Sequence, residues 1–210
     1  MTSSYSTAQE TFWAGSFGTE YTERNQGAQL HAANLHFFGK IVEHTRGVRS
    51  VLELGANRGM NLQVLKALLP GAELAGIEIN PEAAAILASS GFETYTSSIL
   101  DFPVDRQRDL TFTKGVLIHI NPEMLPKVYD LLHAASSRYV LVAEYYNPAP
   151  VEISYRGHAG KLFKRDFAGE LMERHADLRL VEYGFVYRRD PVFPQDDITW
   201  FLMEKVSPPK

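Results

Sequence analysis

Short apolar runs of strand length alternate with helical stretches along most of this chain. Ser50–Leu54, Leu74–Ile79, Glu93–Thr96, Asp109–Val116 and Arg138–Ala143 read as strands. Helical patterns fill the gaps at Asn61–Leu69, at Pro81–Ser89, where proline stands near the first helical position, and at Pro122–Ala135. The run Arg138–Ala143 is nearly continuous in apolar residues, as befits a strand covered on both faces. A further helix is expected over Phe163–His175. Beyond it, Arg179–Tyr187 and Ile198–Glu204 are two strands joined by a loop alone, which predicts a closing antiparallel hairpin. Alternation of this kind predicts an α/β fold, a doubly wound and mostly parallel seven-stranded sheet with right-handed crossovers. Ligands of such sheets bind beyond the carboxyl ends of the strands, near the point where strand order reverses.

The 210 residues suit one domain, expected over 12–206, with 12–46 as an N-terminal cap or lid. Residues 1–11 are polar and read as a mobile N-terminus, and 207–210 as a tail. Nothing in the N-terminal stretch reads as a signal peptide, and no apolar run is long enough for a membrane span. The absence of cysteine removes disulfides and thiolate chemistry and agrees with a cytoplasmic setting. A formal net charge of −4 speaks against a nucleic-acid partner. The seven histidines show no compact ligand spacing, so no metal site is expected.

Three turns at strand ends carry the candidate chemistry. After the first strand comes Glu53-Leu54-Gly55-Ala56-Asn57-Arg58-Gly59, where glycines permit close approach of backbone to a ligand and asparagine tolerates positive φ. A plain tight turn would use glycine too. Glu53, however, would repel a pyrophosphate and attract a cationic group, and the full glycine spacing of dinucleotide folds is missing. Glu78 ends the second strand, placed to accept hydrogen bonds from both hydroxyls of a ribose, or to stand as a surface glutamate. Together these features specify an adenosine-bearing ligand without a diphosphate. After the third strand comes Ser97-Ser98-Ile99-Leu100-Asp101, where Asp101 either meets a ligand or braces a loop.

The motifs ELGANRG, GIEIN and SSILDF resemble those of class I S-adenosylmethionine-dependent methyltransferases. Four longer blocks, FWAGSFGTEYTERN (12–25), FTKGVLIHINPEML (112–125), EYYNPAPVEISYRGHAGKLFKRDFAGE (144–170) and FPQDDITWFLMEK (193–205), are similar to the pseudaminic acid biosynthesis-associated methylases. The resemblance implies a Rossmann-like methyltransferase fold, S-adenosylmethionine as cofactor, S-adenosylhomocysteine as product and a small-molecule acceptor. It places Glu53, Gly55, Asn57, Gly59 and Asn61 at the methionine end, Glu78 and Ile79 at the ribose, and Ser98, Ile99 and Leu100 near adenine. Lys114, Gly115 and Val116 would lie under the sulfonium and methionine carboxylate. Apart from the resemblance, Phe12–Asn25 reads as a lid over the cofactor, with Tyr21 and Arg24 reaching that carboxylate. Asn57 for glycine and Ser98 for aspartate depart from the commonest pattern of that superfamily.

His119, just beyond the fourth strand, is the candidate general base; its alternative reading is a cap on the helix that follows. His158 is the second candidate. The long segment Tyr145–Lys164 offers Tyr145, Asn147, Tyr155, Arg156 and Lys161 as substrate contacts, and its cations suggest an anionic acceptor such as a sugar or nucleotide-linked sugar. A natural-product precursor, methylated on nitrogen or oxygen, is the alternative acceptor. A non-catalytic S-adenosylmethionine-binding protein of a biosynthetic complex and a nucleotide-dependent oxidoreductase are the competing classes.

Overall fold

The computed structural model describes residues 5–24 and 27–206; the expected tail 207–210 and the first four residues of the expected mobile N-terminus lie outside them. Three helices come first, α1 (Ala8–Ala14), α2 (Ser16–Arg24) and α3 (Ala28–Val42). An alternating series follows: β1 (Ser50–Leu54), α4 (Met60–Leu68), β2 (Glu73–Glu78), α5 (Pro81–Ser89), β3 (Glu93–Thr96), β4 (Arg108–Lys114), α6 (Leu125–Ala134) and β5 (Ser136–Glu144). The chain then runs through β6 (Val151–Tyr155), β7 (His158–Lys164), α7 (Phe167–Arg174), β8 (Leu178–Val186) and β9 (Ile198–Lys205).

Seven strands form one sheet in the order β3-β2-β1-β4-β5-β9-β8. β1 pairs in parallel with β2 and β4, and β4 with β5, whereas β9 is antiparallel to both β5 and β8. Two reversals leave β8 running with the parallel strands, so the loop between β8 and β9 returns to their carboxyl ends. Strand order reverses between β1 and β4, where crossovers leave the sheet in opposite directions and open a crevice.

Alternation along the strands divides the core in two. Val51, Phe112, Leu141 and Leu202 face Phe37, Phe38 and Ile41 of α3 and Leu62 and Leu65 of α4. Leu52, Val140, Val142 and Met203 face Val128 and Leu132 of α6 and Phe167 and Leu171 of α7. Both faces are covered, which accounts for the unbroken apolar run of β5. Among the described residues, no helix is long and apolar enough to cross a membrane.

Of the boundaries that differ from the sequence reading, two bear on the site. Residues 8–11 belong to α1, which begins on a capping box: Thr7 Oγ1 accepts the Glu10 N–H at 3.1 Å and Glu10 Oε2 accepts the Thr7 N–H at 2.8 Å. The helix expected over Phe163–His175 occupies only Phe167–Arg174, because Phe163 and Lys164 belong to β7. Val151–Lys164 is therefore a two-stranded antiparallel ribbon and not an irregular loop. Its turn places Arg156 at φ 50° and Gly157 at φ 85°, two successive left-handed residues that match the twist of a tight hairpin.

At the amino end of β4, Arg108 is 1% exposed. Its guanidinium donates to Asp105 Oδ1 at 2.6 Å, to the Arg106 carbonyl at 2.8 Å and to Tyr95 Oη at 2.7 Å. These bonds tie β3 and the connection after it to β4, and so fix the loop that carries Ser98–Leu100. Removing one partner of a buried charged network leaves the others unpaired, so Arg108→Ala is expected to destabilise the fold by about 3 kcal/mol. Urea unfolding at neutral pH measures this, and a loss under about 1 kcal/mol would show the network to be dispensable.

Candidate functional site

The crevice at the β1/β4 reversal is a cleft lined along its length by residues of the strand-end turns and roofed by the N-terminal helices. Its floor starts in the turn after β1. Gly55 (φ 76°), Asn57 (φ 49°) and Gly59 (φ 82°) are all left-handed. A side chain at position 55 would come within 2.7 Å of Val116 Cγ2, and one at 59 within 2.5 Å of Leu87 Cδ1, so both glycines are required by close packing as well as by φ. Asn57 takes the left-handed place at lower strain than most residues and uses its side chain: Nδ2 donates to Thr22 Oγ1 at 3.0 Å and Oδ1 accepts the Arg58 N–H at 2.7 Å. The turn is thereby tied to α2, a bond that glycine would not make.

Glu78 lies at the end of β2, 7% exposed. One oxygen accepts the Asn57 N–H at 2.7 Å and the other the Asn80 N–H at 2.8 Å. Burial pushes its carboxyl above the usual range, and the backbone donors oppose that shift. The carboxylate is thus fixed in orientation at the edge of the cleft, with lone pairs still free to accept. Deeper in, Glu53 Oε1 accepts from Asn61 Nδ2 at 2.6 Å, while Oε2 is buried without a hydrogen-bond partner. Desolvation raises the Glu53 carboxyl to about 8, and burial lowers the neighbouring Lys114 amine below its ordinary value. Asn61, Lys114, Gly115 and Val116 line this end with Asn34 of α3 and Asp196 of the β8–β9 loop.

The other end is built on Ser98, Ile99 and Leu100. Ser98 Oγ donates to Glu10 Oε1 and accepts the Leu100 N–H at 3.0 Å. Glu10 is 6% exposed, and hydroxyl and backbone donors from Ser98, Ser6 and Thr7 hold its carboxyl below the usual value despite burial. A carboxylate from α1 therefore stands beside the serine that follows β3. Trp13 and Tyr21 complete the roof, and the Trp13 indole N–H is buried without a partner.

His119 sits at the end of a short 3-10 turn after β4 and lines the cleft. Its Nδ1 is 2.6 Å from the carbonyl of Lys161, which only accepts, so Nδ1 carries the proton and Nε2 keeps its lone pair. Burial lowers its pKa to about 4, leaving the ring neutral at physiological pH. Trp13 and Tyr155 flank it, with centroids at 4.7 and 4.8 Å. The helix-cap alternative is overturned: Asn121 Oδ1 caps the next turn, accepting the Glu123 N–H at 3.0 Å. Glu144, buried at the end of β5, accepts the Val116 and Leu117 N–H groups at 3.0 Å each and that of Ile118 at 3.4 Å, which anchors the turn bearing His119.

Several expected site residues lie elsewhere. Arg24 is exposed on α2 and pairs with Glu20 at 3.5 Å, one turn away. Arg156 is exposed in the hairpin turn, and Asn147 is half-buried outside the cleft lining with its amide donated to the Ala149 carbonyl. Lys161 Nζ donates to the Ala8 carbonyl of the roof at 2.9 Å, and Arg165 donates to Glu170 of α7 at 2.6 Å, so these cations are engaged outside the cleft lining. His158 packs on Phe12 and Phe17 (5.2 and 5.9 Å), away from the lining, and Tyr145 packs under Lys164. Gly59 supports the floor from behind, as Glu53 does. Glu10, Trp13, Asn34, Arg58 and Asn80 line the cleft without having been expected as ligands, and the Thr7-x-x-Glu10 capping spacing is the local signal that could have drawn attention to Glu10. Asp196, in a loop that could equally pair internally or contact substrate, lines the cleft as well.

No protein-family model and no curated protein matches the chain. Solved structures do. The 1,6-didemethyltoxoflavin N1-methyltransferase of Burkholderia thailandensis, solved with S-adenosylhomocysteine, is 15% identical over 94% of this chain and 87% of its own, with a TM-score of 0.69. The magnesium protoporphyrin IX methyltransferase of Synechocystis, solved with bound S-adenosylmethionine, is 13% identical over 97% of this chain and 100% of its own (TM-score 0.65). The sugar N-methyltransferase KedS8 of Streptoalloteichus is 14% identical over 99% of this chain and 98% of its own (TM-score 0.64). The fold expected from the sequence is the one observed, the Rossmann-like fold of class I methyltransferases.

The buried Glu53 carboxyl gives the site a pH signature. Between its ordinary value of 4.5 and about 8, the unfolded chain has released this proton while the folded chain retains it, so stability falls as pH rises through that window. Glu53→Gln is expected to remove this share of the decline, gaining on the wild type steadily from pH 5 to pH 8. Unfolding midpoints in urea across that range measure it, and parallel pH profiles for the two proteins would refute it.

Proposed function

We infer that this chain is an S-adenosylmethionine-dependent methyltransferase acting on a small polar metabolite. The observation that carries the reading is Glu78, an oriented carboxylate at the end of β2 with both oxygens braced by backbone N–H groups, between the glycine turn and the Ser98 loop. Such a group accepts from the two hydroxyls of a ribose.

The residues present fit the cofactor. Glu53 Oε2 is buried without a hydrogen-bond partner behind the end where an ammonium group would lie, a cation there would favour the ionised carboxylate, and the buried Lys114 amine is suited to a carboxylate. A side chain built at Gly115 (φ 69°) would meet nothing within 4 Å, so backbone there borders open space. Ser98 and Glu10 offer hydrogen-bond partners to a purine edge at the opposite end. When bound, S-adenosylmethionine supplies a methyl group already activated on a sulfonium.

The protein's own part is alignment and proton removal. His119 Nε2 accepts the proton that the acceptor releases as its oxygen or nitrogen gains the methyl group. The Lys161 carbonyl keeps the ring in the required tautomer, and Glu144 keeps the turn in place. An amino or hydroxyl sugar, free or nucleotide-linked, is the acceptor we favour, on the resemblance to pseudaminic acid biosynthesis-associated methylases and the fold shared with a sugar N-methyltransferase. An anionic acceptor loses the support that Arg156 and Lys161 gave it, since both act outside the cleft.

Calorimetry with S-adenosylhomocysteine tests the assignment. Micromolar binding is expected, weakened about ten- to hundredfold by Glu78→Ala, the loss typical of hydrogen bonds to a charged group. No binding by the folded wild type would sink the reading. Methyl transfer from labelled S-adenosylmethionine to a panel of amino sugars and nucleotide sugars tests the second step. His119→Ala is expected to lower turnover at least about a hundredfold while leaving S-adenosylhomocysteine affinity within about threefold. Equal losses in both would reduce His119 to a structural role, and tight cofactor binding without turnover on any acceptor would favour a non-catalytic binding protein.

A further inference from the structure

Away from the cleft, at the amino ends of the strands, two histidines and an aspartate converge. His133 lies in the last turn of α6, His175 just past α7 and Asp177 just before β8, and their candidate donor atoms all lie within 4.8 Å of one another. His133 Nε2 is 2.9 Å from both oxygens of Asp177. The two imidazoles stack at 4.0 Å with planes 3° apart. His175 Nε2 is buried and makes no hydrogen bond; it is 3.2 Å from Asp130 Oδ1 without the angle that a hydrogen bond needs. Asp130 is already engaged, holding Arg174 through two contacts of 2.6 Å. The nearby Lys205 amine donates to the carbonyls of His133 and Ser136. The cluster thus holds an imidazole nitrogen with an unused lone pair or proton, beside a second imidazole and a carboxylate.

We propose that His133, His175 and Asp177 form a binding site for a borderline divalent cation, zinc foremost, that pins α6, α7 and β8 together. Two imidazole nitrogens and one carboxylate oxygen are a donor set that suits zinc, with water filling the fourth position. Zinc bonds of about 2.0–2.2 Å set tetrahedral ligand atoms roughly 3.4 Å apart. A ring nitrogen of His175 therefore moves inward by about an ångström, and the rings turn out of parallel so that the ion lies in the plane of each. Side-chain rotation suffices, because His133, His175 and Asp177 are each only partly buried. His133 moves its ring proton from Nε2 to Nδ1 to present a lone pair. No residue of the site lines the cleft, so the proposal stands apart from the methyltransferase reading.

Tag-free, full-length protein, freed of metal with a chelator, is titrated with Zn²⁺ by calorimetry, with Co²⁺ absorption as a spectroscopic check. One ion per chain with micromolar or tighter affinity is expected, together with a raised Tm and the visible band of tetrahedral Co²⁺. His133→Ala and His175→Ala each weaken binding at least tenfold, with circular dichroism confirming the fold. A reading on the wild type needs no variant: Zn²⁺ shifts the imidazole proton resonances of His133 and His175 and leaves those of His119 in place. Absence of stoichiometric binding by the wild type, or binding undiminished in both variants, overturns the site.

Discussion

Charged groups buried at the carboxyl ends of adjacent strands set the terms for the rest of this molecule. Glu53, Glu78 and Glu144 occupy the ends of β1, β2 and β5, and Lys114 closes β4. Burial acts against the charged form of each of them. Such groups persist in a fold only where hydrogen bonds or partners offset the desolvation. Glu78 and Glu144 meet that condition with backbone N–H groups of the neighbouring turns, and in doing so they fix those turns. Glu53 meets it halfway, with one oxygen satisfied and one not. The incomplete partnership lies just behind the cleft floor, while the complete ones hold their turns rigid, that of Glu78 at the cleft itself.

The roof follows from the same economy of hydrogen bonds. The β6–β7 ribbon reaches the N-terminal helix through Gln9 Nε2 on the Gly160 carbonyl and Lys161 Nζ on the Ala8 carbonyl. The Lys161 carbonyl, on the same residue, holds His119. Roof and His119 are therefore coupled through one residue, and the orientation of the His119 ring depends on the ribbon being in place. Trp13 and Tyr155, one from each half of the roof, pack on that ring and exclude water from it. A neutral, anchored imidazole results from this enclosure and not from any charged partner.

Much of this was legible in the sequence, for a definite reason. Strands β1 to β5 and the turns after them obey local rules: apolar runs, glycines at left-handed positions, an acid at a strand end. Asn57 illustrates it, since an asparagine between two glycines in a strand-end turn marks a place where a left-handed backbone is tolerated, and it is found there. What sequence did not show depends on contacts between distant segments. Glu10 reads as part of a polar N-terminus until it meets Ser98, 88 positions away. The β6–β7 ribbon escaped because its turn is Arg-Gly, a weaker hairpin signal than Asn-Gly or Asp-Gly, although Arg156 adopts the same conformation. The cations between Arg156 and Arg165 looked like an anion site only because their partners, the Ala8 carbonyl and Glu170, could not be foreseen. Convergence of His133 with His175 across two helices was equally invisible to a search for compact spacing.

The electrostatics of the cleft bear on what it can hold. Glu10, Glu78 and Asp196 line it and Glu53 stands behind it, against Lys114 and Arg58. In a confined space of low polarizability, such a balance favours a ligand carrying positive charge over a polyanion. Under the methyltransferase reading, that preference acts twice. It attracts the sulfonium and ammonium of the donor, and it weakens after transfer, when the sulfonium charge is gone. Burial raises the carboxyls of Glu78 and Glu53 toward neutrality, which moderates the attraction at that end of the cleft. Among the described residues, the cations of the lining that could grip an anionic acceptor are Lys114 and Arg58, which leaves much of the selection to hydrogen bonding and the faces of Trp13 and His119.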